Sequence, residues 1–91
     1  MELQWTSKAH DDLSRLYIFL ARRSPWAAAR VVQSLVKAPT RLTAQPRIGE
    51  KLEEFEPREV RRLFVGRYEL RYEIQLRTIY VLRLWRARER R

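Results

Sequence analysis

The 91-residue sequence contains no cysteine, one histidine and two glycines. Without thiols, neither disulfides nor thiolate metal sites can supplement the fold, and cysteine usage says nothing about the compartment. An apolar core must therefore carry the structure. Gly49 and Gly66 stand alone, so there is no glycine-rich loop to cradle a nucleotide phosphate. No apolar run approaches the roughly 20 residues that span a bilayer, and Met1 to Thr6 is neither basic nor followed by an uninterrupted apolar stretch. Membrane insertion and a secretory leader are not expected, which makes a cytoplasmic location the default.

What is present is apolar content and positive charge. Hydrophobic residues make up 45%, with 3 Trp, 4 Tyr and 3 Phe, enough to exclude an intrinsically disordered chain. The length suits one domain, residues 1–91. The formal net charge is +9, and residues 58–91 hold 11 Lys/Arg against 4 Asp/Glu, compared with 9 against 7 in residues 1–57. Such a surface attracts nucleic acid, an acidic protein, or both. The C-terminal third is expected to be the electrostatic working surface.

Periodicity gives the element order. Glu2 to Trp5 alternates as a half-buried strand does, and Thr6 or Ser7 offers a cap for a helix over residues 7–23. Its apolar stripe is Ala9, Leu13, Leu16, Tyr17 and Leu20, with Asp11 and Asp12 near the positive end. Ser24-Pro25 stops this helix and starts a second, which carries Ala28, Val31, Val32 and Leu35 on one face until Pro39 kinks or ends it. Residues 44–57 read as a surface connection bearing Glu50, Glu53, Glu54 and Glu56. A meander follows: Arg58 to Val65, a turn at Gly66-Arg67, an alternating strand with Tyr68, Leu70, Tyr72, Ile74 and Leu76 on one face, a turn near Arg77-Thr78, and Ile79 to Arg86. The expectation is an α+β fold of order β-α-α-β-β-β, with a helix hairpin packed on one face of an antiparallel sheet. Leu13, Leu16, Tyr17, Leu35, Leu70, Tyr72 and Leu82 are the expected core, and Arg61, Arg71 and Arg83 the expected cargo of the opposite face.

Few residues offer acid/base or nucleophilic chemistry. His10 lies in the first turn of a helix without a second ligand at metal spacing, Ser7 and Ser24 are explained by capping, and the glutamates between 50 and 56 by a solvated loop. No metal or cofactor is implied. What remains is the arginine-rich meander and tail, interleaved with Tyr68, Tyr72, Tyr80 and Trp85. Guanidinium groups pair with phosphates or carboxylates, and aromatic faces stack on bases or on a partner.

Trp5 with Ala9-x-x-x-Leu13, Ser24-Pro25 with Ala28, Leu42 with Pro46 and Gly49, Arg58-Glu59-Val60, Tyr68-x-Leu70-x-Tyr72, and the run from Val81 to Arg90 follow one another in this order. Together they resemble the RelE/ParE superfamily of bacterial toxins. The resemblance implies a toxin held inactive by a cognate antitoxin, usually acidic and encoded by the adjacent gene, whose flexible segment wraps the toxin.

RelE-like members cleave messenger RNA on the ribosome without a metal, whereas ParE-like members poison DNA gyrase. The resemblance places RelE-like basic residues at Arg62, at Glu69 and at Arg88, and a tyrosine beyond Arg88. Arg62 and Arg88 fit and are the catalytic candidates if the chain is a ribonuclease. Glu69 reverses the charge, and the tyrosine has no counterpart in the sequence. An acid there would repel the charge developing on a phosphate. This favours ParE-like action by binding, with Arg83, Arg86, Arg88 and Arg90 as the target-binding candidates. A RelE-like ribonuclease and a plain nucleic-acid or protein-binding module are the alternatives.

Overall fold

The computed structural model describes residues 1–87 of the chain. Its elements are β1 (Glu2–Trp5), α1 (Ser7–Ala21), α2 (Pro25–Lys37), a 3-10 turn (Ala38–Thr43), β2 (Glu50–Lys51), a second 3-10 turn (Glu53–Phe55), β3 (Glu59–Val65), β4 (Tyr68–Gln75) and β5 (Thr78–Arg86). One sheet contains all five strands in the order β1-β5-β4-β3-β2. The expected β-α-α-β-β-β order holds, and the helix hairpin packs on the sheet through α1 against β5.

Local chemistry sets the joints. Thr6 caps α1, its hydroxyl accepting from the Ala9 N–H at 3.1 Å and donating to the Leu82 carbonyl at 3.0 Å. One side chain thus ends β1, starts α1 and fastens both to β5. Ser24 caps α2 by accepting from the Ala27 N–H at 3.1 Å, with Pro25 in the first turn. The helix tightens to 3-10 geometry at Ala38-Pro39, and the added turn buries Pro39 and Leu42.

β3, β4 and β5 form the expected antiparallel meander. β1 joins it parallel to β5, Glu2 opposite Thr78 through Trp5 opposite Val81, so the complete sheet is mixed. β2, two residues hidden in the acidic connection, pairs Glu50 with Arg62 and Lys51 with Arg61. The core between the layers joins Ala9, Leu42, Leu70, Tyr72, Ile74, Ile79 and Val81, with Leu3, Trp5 and Leu63 against it.

Three expectations are corrected. Leu76 is not on the buried face of β4: it occupies the β4–β5 turn at φ 54° and is 94% exposed. Tyr17 is 39% exposed, and Leu13, Leu16 and Leu82 are half-buried, because α1 turns Ala9 and Asp12 most deeply toward the sheet. Arg61 and Arg71 lie on opposite faces. Arg61 stands opposite Tyr72 on the helix side, and Arg71 opposite Arg83 beyond a register shift between Arg71 and Tyr72. The shift leaves Leu82 without a partner and lets Val81 and Leu84, three apart, both be buried.

Candidate functional site

Two surfaces concentrate the residues singled out by sequence. The first is the sheet face turned away from the helices. Alternation and register bring Val60, Arg62 and Phe64 of β3, Glu69, Arg71 and Glu73 of β4, and Trp85 of β5 to it. Glu69 is 2% exposed at its centre. It accepts from Arg71 Nε at 3.1 Å, and its other oxygen lies 3.8 Å from Arg62 Nη1. Arg62 donates from Nε to Glu50 at 2.9 Å, a contact that holds its guanidinium more firmly charged. Arg58 grips Glu73 with two bonds, 2.8 and 3.1 Å, and this pairing holds the Glu73 carboxyl below the usual carboxylate range. Arg71 also lies over the rings of Trp85 and Phe55, at 4.7 and 5.5 Å from their centres. Among the described residues, Arg58, Arg62 and Arg71 on this face therefore each face a carboxylate at ion-pair distance.

The second surface is a groove of about 300 Å³ between α1 and the end of β5. Leu16, Phe19 and Leu84 supply its apolar walls, and Arg15, Arg83 and Arg86 its cationic rim. Phe19 is 60% exposed. At its base sits Asp12, a buried acid that sequence reading assigned only to the helix dipole. Asp12 Oδ2 accepts from Arg83 Nε at 2.7 Å and from the Leu84 N–H at 3.0 Å, while Oδ1 accepts from Arg83 Nη2 at 3.1 Å and from Arg15 Nη2 at 2.7 Å. Burial pushes the Asp12 carboxyl up, but the bonds from Arg83 and Leu84 and the charges of Arg83 and Arg15 outweigh it, and its pKa is lowered. The position falls on the apolar stripe, three after Ala9 and four before Leu16. An acid among buried positions demands partners, and that was the signal for it.

Of the target-binding candidates, Arg83 and Arg86 come together in this groove, while Arg88 and Arg90 lie outside the described residues. Arg62, the other ribonuclease candidate, is on the far face of the sheet. Among the described residues, no group of three His, Cys, Asp or Glu stands together as metal ligands would, and no helix is long and apolar enough to cross a membrane.

The element order, the hairpin on a five-stranded sheet and the arginine-bearing meander define the class: a small α+β domain of the RelE/ParE superfamily. The model of the family described as the ParE toxin of the type II toxin–antitoxin system parDE matches residues 3–91, and the chain belongs to that family. A solved structure described as the chromosomal ParDE TA system from P. aeruginosa is similar, with a TM-score of 0.78 and 27% identity over 94% of this chain and 95% of that one. No curated protein matches.

Proposed function

We propose that this type II toxin acts by binding DNA gyrase, that it works in the cytoplasm, and that a cognate acidic antitoxin neutralises it by occupying the groove between α1 and β5. The observation carrying the first part is Glu69. Buried among Arg62 and Arg71, it fills with negative charge the place where a ribonuclease of this superfamily needs a cation against the scissile phosphate. Arg62 is already engaged by Glu50. A metal-independent ribonuclease also needs one group to activate the 2′-hydroxyl and another to protonate the leaving oxygen, and the face offers arginines and engaged carboxylates instead.

The groove supports the second part. An amphipathic segment would place apolar side chains against Leu16, Phe19 and Leu84 and carboxylates against Arg15 and Arg86. Arg83 and Arg86 then serve twice. They are the target-binding residues together with Arg88 and Arg90, and an antitoxin in the groove covers the first two, so one occupancy excludes the other. The test is growth on expression of the chain alone and with the product of the adjacent gene. Arrest in the first case and rescue in the second are expected, with Phe19→Glu abolishing rescue but not folding. Unaffected growth on expression alone would remove the toxin reading.

A further inference from the structure

The net charge of +9 conceals where the excess resides. On the sheet, Arg58, Arg61, Arg62, Arg71 and Arg83 each contact a carboxylate at 2.7–3.1 Å. The helix layer is different. From Leu13 to Gly49 the sequence contains no aspartate or glutamate and seven Lys/Arg. Arg15 is held by Asp12 and Arg47 by Glu59. Among the described residues, Arg22, Arg23, Arg30, Lys37 and Arg41 make no ion pair.

Helical spacing organises these cations. Trp26, Arg30, Gln33 and Lys37 recur at i, i+4, i+7 and i+11, in one row along α2, and all are exposed, while Ala28 and Leu35 are buried. The 3-10 turn that continues the rod adds exposed Thr40 and Arg41, and Arg22 and Arg23 precede its start. The Arg30 guanidinium lies over the Trp26 ring at 4.9 Å, which fixes its position without neutralising it.

We propose that this row of α2 is a docking surface for the phosphate backbone of duplex DNA, separate from the groove and from the sheet face. Phosphate contacts are made by Lys and Arg together with Ser, Thr and Gln donors, and the exposed Gln33 and Ser34 supply such groups between Arg30 and Lys37. A protein partner would need a cluster of apolar anchors, but the exposed Ile18 and Phe19 belong to α1, Val36 lies off the row, and the row itself offers one aromatic, Trp26, with the Arg30 cation over its ring. Single strands bind by stacking successive bases on several aromatic faces, and the row has only Trp26. Double-stranded RNA is read over about 16 base pairs through its 2′-hydroxyls, more than α2, about 20 Å long, can follow.

The test is fluorescence anisotropy of the purified full chain with a labelled duplex of mixed sequence, between about 50 and 200 mM salt. Arg30→Gln, Lys37→Gln and Arg41→Gln are combined in one variant. Lys8→Gln, Arg67→Gln and Arg77→Gln, a change of equal charge elsewhere on the surface, form the control, and circular dichroism verifies that both fold. The expected result is at least tenfold weaker binding for the row variant and less than threefold for the control. The slope of log K against log salt should become shallower in the row variant by about 0.9 for each cation removed that contacts a phosphate. Equal losses in both variants would reduce the effect to overall charge and overturn the proposal. Absence of duplex binding by the unaltered chain would overturn it too, as would tighter binding of a double-stranded RNA or a glutamate-rich peptide than of the DNA.

Discussion

The carboxylate of Asp12 on α1 holds the Arg83 side chain and the Leu84 N–H of β5 together, at 2.7 and 3.0 Å from the same oxygen. The contact bridges 71 residues of sequence at the register shift, where β5 cannot rely on regular pairing. Sheet irregularity, helix docking and the geometry of the groove therefore meet in one acid.

Replacing Asp12 should be costly. Asp12→Ala leaves the Leu84 N–H without its acceptor in a buried position, and Asp12→Asn keeps an acceptor but turns an amide donor toward Arg83. Because Arg83 is partly solvated, the expected loss is about 1–3 kcal/mol rather than that of a fully buried pair. Urea denaturation at neutral pH checks it, and unchanged stability in both variants would remove Asp12 from the joint.

Acid should unfold the chain in a defined window. Asp12, Glu59 and Glu73 all have lowered pKa values in the folded state. The unfolded carboxyls bind protons first as pH falls, so the stabilisation is complete above their unfolded pKa values of about 4. It is lost as pH drops through the lower folded values. Denaturation midpoints should be flat from neutral pH to about 5 and fall below 4, and the difference between the chain and its Asp12→Asn variant should shrink in the same window.

Core truncation should separate fully buried from half-exposed apolar positions. Leu70 is completely buried under the hairpin, so Leu70→Ala is expected to cost roughly 2–5 kcal/mol. Tyr17→Ala, on the exposed side of α1, should cost well under half as much. Chemical denaturation of the two variants checks the ordering, and a smaller loss for Leu70 would contradict the packing.

Two backbone positions make opposite demands. A Cβ at Gly49 would lie 2.6 Å from both the Arg62 carbonyl oxygen and Tyr72 Oη, so Gly49→Ala should destabilise by roughly 1–3 kcal/mol. Leu76 has a positive φ of 54° that glycine adopts without strain, so Leu76→Gly should be neutral or stabilising by up to about 1 kcal/mol. Thermal melts of the two variants should move in these different directions.

Elements with a local period were legible in the sequence. Tyr68 to Ile74 announces a one-sided strand by simple alternation, and Ser24-Pro25 announces a helix junction by capping chemistry. Features made by distant pairing were not. The parallel docking of β1 on β5 depends on chain segments more than seventy residues apart, and the shift at Arg71 breaks the alternation that would have placed Leu82 and Arg83. At the candidate site, Glu69 stood out by its charge, whereas Asp12 was hidden by its nearness to a helix start. The charge of the helix layer was missed because averaging over residues 1–57 mixed an acid-free segment with the glutamates around Glu53.

The most direct measurement of the proposed mode of action puts one preparation of the chain through two assays, DNA gyrase supercoiling and messenger-RNA integrity on translating ribosomes. Supercoiling should be inhibited, the inhibition weakened by Arg86→Ala with Arg88→Ala, and the messenger left intact. Normal supercoiling accompanied by codon-dependent cuts would contradict the account and return Arg62 and Arg88 to the catalytic role.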